Sequence, residues 1–124
     1  MLRPTVIAGV SADMAAYEEE IFGPVAAVTV FSDDAEAVRL ASSTPFGLVA
    51  GLHSGSELRA REVAGRLDAG MVHVNDQTVN DEVVAPFGGR GDSGMGGFGT
   101  LTNLEQFTRW QWVTYHRDQA PPPG

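Results

Sequence analysis

Apolar runs and amphipathic stretches alternate along most of the chain. Residues 25–31 are almost continuously apolar, which is typical of a strand buried on both faces, and residues 48–53 and 71–75 predict two further strands. Residues 33–44 predict a first helix. Residues 54–67 predict a second helix, with apolar side chains along one of its faces. Strands and helices that alternate with short links predict a right-handed βαβαβ unit around a parallel sheet. The predicted fold class is therefore α/β.

Capping residues predict where the two helices begin and end. Asp33 and Ser54 are each followed three residues later by glutamate, which is the spacing of a capping box. Pro45 disfavours helical backbone at Thr44, so the first helix is expected to stop there. Gly70 follows the second helix and is expected to serve as its C-terminal cap.

The two ends of the chain carry shorter elements. Residues 5–10 predict a short strand ahead of the parallel core. Thr102 and the glutamate three residues later predict a helix that ends near Phe107. Residues 110–116 alternate large apolar and polar side chains, which predicts a strand with two unlike faces. The proline-rich segment 118–124 predicts a disordered tail.

Composition and charge exclude several classes of function. The 124 residues suggest one domain. Sixteen acidic and eight basic residues give a net charge of −8, which argues against nucleic acid and anionic membranes as partners. No apolar run approaches the ~20 residues of a membrane span, and no signal peptide is evident, so a cytoplasmic location is expected. The absence of cysteine excludes disulfides, thiolate metal sites and a thiol nucleophile in this chain.

An acidic segment beside a turn is the strongest candidate for a binding site. Glu18, Glu19 and Glu20 precede Phe22, and a Gly–Pro turn signal follows directly. Carboxylates and an aromatic ring beside a rigid turn suit a ligand that carries hydroxyl groups and a ring. The alternative interpretation is a solvated acidic loop, with Phe22 as part of the core.

Other motifs have simpler explanations. Residues 89–94 match the GxGxxG pattern of dinucleotide-binding folds, but no strand precedes them and no helix opens after them. The same residues include Arg-Gly-Asp and a Gly-Asp-Ser-Gly stretch, and both fit a single glycine-rich loop over residues 86–99 that packs closely against its surroundings. The histidines at 53, 73 and 116 lack metal-ligand spacing. Paired carboxylates such as Glu19 and Glu20 could indicate a glycosidase, but two adjacent side chains rarely act on the same glycosidic bond, so this function is not predicted.

Taken together, the ordered motifs resemble those of the NAD(P)-dependent aldehyde dehydrogenase superfamily. The Glu-Glu-Ile-Phe-Gly-Pro segment at 19–24 resembles the signature of that family. Four further stretches follow in the family's order, at residues 46–48, 70–75, 86–89 and 93–96. The similarity covers nearly the whole chain and corresponds to the C-terminal quarter of such enzymes. The loop at 75–82 and the ending at 103–114 look most like aryl-aldehyde members, which act on benzaldehyde, vanillin or salicylaldehyde.

The resemblance implies roles for particular residues. Glu20 matches the glutamate that hydrogen-bonds the nicotinamide ribose, and Phe22 matches the aromatic residue near the nicotinamide ring. Phe87 matches the aromatic residue that lines the aldehyde pocket. Phe98 stands about where some members carry a glutamate that assists proton transfer, so that role is in doubt here. The nucleophilic cysteine and the general-base glutamate of the family lie upstream of Glu20, so no catalytic residue is expected in this chain.

The expected function is that of a C-terminal segment of an NAD- or NADP-dependent aryl-aldehyde dehydrogenase, inactive alone. Residues 1–99 would be part of the catalytic domain, and residues 100–117 would form a helix and strand for oligomerisation. The expected partners are an aromatic aldehyde, further copies of the chain and the upstream portion of the enzyme. The alternative is a non-catalytic α/β module that binds a ligand or a full-length dehydrogenase.

Overall fold

The computed structural model describes residues 1–116, and the predicted tail at 118–124 lies outside them. The described chain is a mixture of short strands and helices. In chain order these are β1 (Thr5–Ala8), α1 (Ala15–Glu18), β2 (Val25–Val28), α2 (Asp34–Ala41), β3 (Phe46–Gly47), β4 (Val49–Leu52), α3 (Glu57–Ala64), β5 (Met71–Val74), β6 (Arg90–Gly91) and α4 (Thr100–Phe107). The α/β fold class and the parallel pairing of its strands are confirmed.

The parallel strands form two separate pairs. β1 pairs with β2 so that Thr5 lies opposite Val25, and β4 pairs with β5 so that Val49 lies opposite Met71. Within the described residues no ladder joins β2 to β4, so the predicted βαβαβ sheet is divided into two halves. An apolar cavity of about 450 Å³, lined by residues of β2, α2 and β4, lies between the halves. A third, antiparallel pair of β3 and β6 holds the glycine-rich loop.

The predicted N-cap is correct for α2 and wrong for α3. Asp33 caps α2 as predicted, since its Oδ1 accepts a hydrogen bond from the Glu36 amide at 2.8 Å. The N-cap of α3 is Ser56 and not Ser54, and its Oγ accepts from the Arg59 amide at 3.3 Å. Ser54 belongs instead to the turn after β4, where its backbone N–H and C=O both bind the Asn75 side chain.

Asn75 closes the second pair of strands. Its backbone has φ of +57°, a left-handed conformation that asparagine tolerates better than most residues. Its side-chain amide then accepts from the Ser54 N–H at 2.8 Å and donates to the Ser54 C=O at 3.1 Å. The end of β5 is thereby fixed to the end of β4.

Little of the described chain is buried. The only buried apolar residues among those described are Val10, Ala60 and Val63. The chain exposes 10,475 Å², whereas a compact monomer of 13.1 kDa exposes about 6,400 Å². β1 is exposed along its whole length, which is unusual because parallel strands are normally covered on both faces. The fold therefore presents much apolar surface that a further part of the molecule could cover.

The C-terminal elements agree with prediction only in part. Helix α4 ends at Phe107 as predicted, but it begins after Gly99 and not at Thr102. Residues 108–116 pair with no strand among the described residues, so they do not fold back onto the sheets of their own chain. The pairing of this segment with a neighbouring subunit stays a prediction.

None of the described helices is long and apolar enough to cross a bilayer.

Candidate functional site

The acidic segment forms one wall of a cleft of about 590 Å³. Glu18 ends α1, and the chain then runs in irregular conformation through Glu19 and Glu20 to β2. All three carboxylates line the cleft. Its other walls come from residues 46–50, from residues 67–69 and from Asp92 and Ser93. Glu20 is exposed, and within the described residues its carboxylate accepts no hydrogen bond, so its oxygens are available to a ligand.

Another wall of this cleft comes from the glycine-rich loop, which is bound to β3. The Gly47 amide donates to Ser93 Oγ at 3.0 Å, and the Asp92 amide donates to the Pro45 carbonyl at 2.9 Å. Arg90 forms an ion pair with Asp68 at 2.9 Å. Gly91 has φ of +55°, and a Cβ there would lie 2.3 Å from the Pro45 carbonyl oxygen. This close approach confirms that the loop packs tightly, as its glycine content predicted.

Phe22 lies apart from this cleft. Its side chain is 91% exposed, and it lines none of the clefts described in this section. Two short backbone bonds form the turn, from the Gly23 amide to the Ile21 carbonyl and from the Val25 amide to the Gly23 carbonyl. The interpretation of Phe22 as a core residue is therefore wrong for this chain. Its role beside a nicotinamide ring stays a prediction.

Phe87 forms an aromatic pair with Phe98. The two ring centroids are 4.6 Å apart with an interplanar angle of 17°, and each residue's amide donates to the other's carbonyl, at 2.7 and 2.8 Å. This bridge closes the glycine-rich loop on itself. The sequence carries a signal for this pair, since a phenylalanine stands near each end of the glycine run. The family resemblance alone, in which Phe98 stands near the position of a glutamate, does not predict it.

The aromatic pair borders a second cleft that adjoins the acidic one. This cleft, of about 320 Å³, is lined by Phe87, Phe98 and the glycine-rich loop. Leu48 and Ser93 line both this cleft and the acidic one. The structure therefore brings Glu20 and Phe87 to neighbouring clefts that share Leu48 and Ser93, while Phe22 remains outside them.

Phe87 also borders a smaller cleft of about 210 Å³ that contains His73. The His73 Nε2 atom is buried and has no hydrogen-bond partner among the described residues.

The pKa of Asp76 is held below its ordinary value, first by the hydrogen bond from the Gln77 amide and then by that from the Asn80 side chain. No group of three His, Asp or Glu side chains in the described part of the chain could hold a metal ion.

Comparison with known proteins identifies the family. Residues 1–113 match the sequence model of the aldehyde dehydrogenase family. The chain belongs to the aldehyde dehydrogenase family. The resemblance inferred from the ordered motifs is thereby confirmed.

Curated relatives of this aldehyde dehydrogenase chain include aryl-aldehyde enzymes. It is 45% identical over 123 residues to a vanillin dehydrogenase of Amycolatopsis sp., covering 98% of this chain and 25% of the relative. It is 46% identical over 122 residues to the NAD(+) benzaldehyde dehydrogenase of Pseudomonas putida, again covering 98% and 25%. The chain therefore spans about a quarter of the length of the curated relatives it matches.

Solved structures of the family share its fold. A salicylaldehyde dehydrogenase from Pseudomonas putida G7, complexed with salicylaldehyde, superposes with a TM-score of 0.85 at 34% identity, covering 94% of this chain and 24% of the other. An indole-3-acetaldehyde dehydrogenase in complex with NAD+ superposes with a TM-score of 0.78 at 39% identity, covering 86% and 21%. The fold of the described residues is that of an aldehyde dehydrogenase segment.

Proposed function

We propose that this chain is the C-terminal segment of an NAD(P)-dependent aryl-aldehyde dehydrogenase, and that it supplies cofactor-binding and substrate-pocket residues. The observation that carries the proposal is the arrangement of Glu20 and Phe87 in adjoining clefts that share Leu48 and Ser93. The similarity to vanillin and benzaldehyde dehydrogenases supports an aromatic aldehyde as the substrate. We place the complete enzyme in the cytoplasm.

Glu20 would bind the ribose of the nicotinamide cofactor. An ionised carboxylate has two oxygens and can accept from both hydroxyls of a ribose. The exposed Glu20 carboxylate, without an acceptor bond of its own among the described residues, fits this role. Phe22 would lie beside the nicotinamide ring, since its exposed aromatic face is free to stack. The cofactor itself supplies the hydride-accepting ring.

Phe87 would form one wall of the aldehyde pocket. Its stacking on Phe98 holds the ring in a fixed orientation. An aromatic aldehyde that packs against such a ring would be oriented before reaction, and orientation is a major contribution to catalysis.

The covalent steps would need residues that this chain does not contain. Cysteine is absent from the sequence, so no thiolate of this chain can attack the aldehyde. The large exposed surface supports a segment that packs against the rest of an enzyme over a stand-alone binding module. We expect the purified chain to form no NADH or NADPH from benzaldehyde and either cofactor. Turnover by the pure chain that disappears when this chain is mutated would overturn this expectation.

The proposal is tested by restoring the rest of an enzyme. The upstream three quarters of the Pseudomonas putida benzaldehyde dehydrogenase are co-expressed with this chain as a separate polypeptide, and benzaldehyde oxidation is measured. Activity that requires both polypeptides is the expected result. Inactivity of a co-purified complex would contradict the proposed function.

Within that complex, Glu20→Gln should weaken cofactor binding by about 5- to 150-fold, because it loses a charge-assisted hydrogen bond worth roughly 1–3 kcal/mol. Glu18→Gln is the matched control, since Glu18 lines the same cleft. It should change the cofactor Kd little. Equal losses from both substitutions would show that only the overall acidity of the cleft matters.

A further inference from the structure

Tyr17 joins the acidic segment to the end of α2. Its hydroxyl donates to the Leu40 carbonyl at 2.6 Å and lies 2.5 Å from the Oγ atom of Ser43. The Ser43 hydroxyl is in turn 2.9 Å from the same carbonyl. These three oxygen atoms form a hydrogen-bonded cluster of Tyr17, Leu40 and Ser43, which we call the Tyr17 cluster.

The Tyr17 cluster lies at the C-terminal end of a helix. α2 ends at Ala41, so the Leu40 carbonyl belongs to the last turn, where carbonyls lack the regular partner of the helix interior. The Tyr17 hydroxyl supplies a donor at the end of the helix where the dipole is negative. A phenylalanine ring at position 17 could fill the same space, but it could not make this bond.

The remaining hydrogen bonds around α1 are local. α1 is a single turn of four residues, with no side-chain cap at its N-terminus and no buried residue. A helix of this length is not stable by itself in water. Within the described residues, the hydrogen bonds that residues 11–20 make to residues distant in sequence all come from the Tyr17 hydroxyl. The Tyr17 cluster therefore supplies the hydrogen bonds that hold α1 against α2.

The position of Tyr17 determines that of Glu20, which follows three residues later. The Glu19 amide donates to the Ala15 carbonyl at 2.9 Å, so residues 15–19 form one hydrogen-bonded turn. On the far side of Glu20, the Pro24 carbonyl accepts from the Thr5 amide at 2.9 Å. Glu20 therefore lies on a short segment that is fixed at both ends, at Tyr17 and at β2.

Tyr17 is also part of the wall of the acidic cleft. The half-buried side chain lines this cleft together with Glu20, and it lines the apolar cavity between β2 and β4 as well. Displacement of a binding group by about 1 Å can have a large effect on catalysis. A bond that fixes the wall from which Glu20 projects can therefore affect the cofactor without touching it.

We propose that Tyr17 is a positioning residue for the cofactor: its hydroxyl, held by Leu40 and Ser43, sets where the Glu20 carboxylate meets the nicotinamide ribose. The inference rests on the proposed function, since it takes Glu20 as the ribose-binding residue. Tyr17 acts through Glu20, so removal of its hydroxyl should weaken cofactor binding only while the Glu20 carboxylate is present.

The inference is tested in the complex with the upstream portion of the Pseudomonas putida enzyme. Tyr17→Phe should raise the Kd and the KM for NAD+ by about three- to tenfold, because it removes one hydroxyl and its hydrogen bonds. The KM for benzaldehyde should stay within about twofold. Tyr115→Phe is the matched control, since it removes the same atom from a tyrosine that is 88% exposed, and it should leave both constants within about twofold.

A double-mutant cycle separates positioning of Glu20 from a general loss of structure. In the Glu20→Gln variant, the further change Tyr17→Phe should alter the Kd for NAD+ by less than about twofold, because the carboxylate that Tyr17 positions is already absent. The same loss of affinity with and without the Glu20 carboxylate would overturn the inference.

Hydrogen exchange in the full chain alone tests the Tyr17 cluster without a cofactor. The Glu18 and Glu19 amides, which donate to carbonyls of the α1 turn, should exchange at least about threefold faster in Tyr17→Phe, because α1 opens more easily. The Ala37 amide of α2, which donates to the Asp33 carbonyl at 3.0 Å, is the internal control and should stay within about twofold. Unaltered exchange at Glu18 and Glu19 would overturn the inference.

The results also separate the inference from the proposed function. Loss of NAD+ affinity in Glu20→Gln but not in Tyr17→Phe would reject the inference alone. An unaltered Kd for NAD+ in Glu20→Gln would reject the proposed role of Glu20, and the inference with it.

Discussion

At the scale of single residues, a close backbone contact explains why Gly70 must be glycine, although the local sequence predicts it as a helix cap. Gly70 was expected to cap α3, but α3 ends at Ala64 with Gly65 at its C-cap. Gly70 instead faces the glycine-rich loop, where a Cβ would lie 1.8 Å from the Gly88 carbonyl oxygen. The requirement for glycine at this position therefore comes from a contact between distant parts of the sequence.

We expect Gly70→Ala to lower the free energy of unfolding by about 1–3 kcal/mol, because the added methyl group must displace backbone. Urea denaturation of the purified chain measures this change. Gly55→Ala is the control, since a Cβ at Gly55 would meet no atom within 4 Å, and it should stay within about 0.5 kcal/mol of the unaltered chain. An unaltered midpoint for Gly70→Ala would show that the loop moves freely to accommodate it.

The sequence indicates which residues belong to the candidate site better than it indicates where their side chains lie in the fold. Glu20 and Phe87 could be singled out because the motifs around them resemble those of the family, and the structure places them in adjoining clefts. The exposure of Phe22 could not be predicted, since an aromatic side chain next to a turn is compatible with core and surface alike. The pairing of Phe87 with Phe98 depends on how the glycine-rich loop returns, which no local pattern encodes.

At the scale of elements, local patterns predicted the helices and strands but not how the strands are grouped. The sequence correctly predicts Asp33 as the cap of α2 because an N-cap depends on neighbours three residues away. The same spacing wrongly predicts Ser54 as the cap of α3, because the backbone of Ser54 binds Asn75, a residue distant in sequence. The division of the sheet likewise depends on what lies between β2 and β4, and an apolar run alone carries no information about its neighbours.

Helices α2 and α3 are joined by an ion pair that should make the fold sensitive to acid. Arg59 binds Asp34 through two hydrogen bonds, from Nε at 2.8 Å and from Nη2 at 2.5 Å. Chiefly through these hydrogen bonds, Arg59 holds the pKa of Asp34 below its ordinary value. A carboxyl group whose pKa is lower in the folded state stabilises the fold above its unfolded pKa of about 3.9, and that stabilisation is lost as pH falls through the lower folded value.

We therefore expect Asp34→Asn to reduce the loss of stability on acidification below about pH 4, because the variant has no carboxylate to protonate at this position. Unfolding free energies measured by urea between neutral and acidic pH test this. Asp81→Asn, which removes an exposed carboxylate that forms none of the described ion pairs, should leave the pH profile of the unaltered chain in place. Identical profiles for Asp34→Asn and the unaltered chain would contradict the linkage.

At the scale of the whole molecule, the length of the sequence predicts one domain, and the structure has far more exposed surface than a compact domain of this mass. An apolar content of 43% is ordinary for a closed core, yet only three apolar residues of the described chain are buried. Composition counts apolar residues without revealing whether their partners lie in the same chain. The cavity between β2 and β4 and the exposed length of β1 are two places where partners are missing among the described residues.

The C-terminal residues add a further apolar surface, which leads us to expect that the chain self-associates. Trp110, Trp112 and Tyr115 are each at least 88% exposed, and residues 108–116 pair with no strand among the described residues. An extended segment with unpaired backbone groups and no proline or lysine to protect it is a ready partner for another strand. Burial of such aromatic side chains between subunits would also reduce the exposed apolar area.

Light scattering on the purified chain at micromolar concentration should therefore show dimers or larger species. Deletion of residues 109–124 should shift the distribution toward smaller species, because it removes the exposed tryptophans and the unpaired backbone together. Ala27→Pro alters the cavity between β2 and β4 and keeps the C-terminal segment, so it separates the two surfaces. Association that survives this substitution and is lost on deletion is mediated by the C-terminal segment. A sharp monomer peak from the intact chain would rule out the association, since each exposed surface would then remain solvated at concentrations where apolar strand edges usually pair.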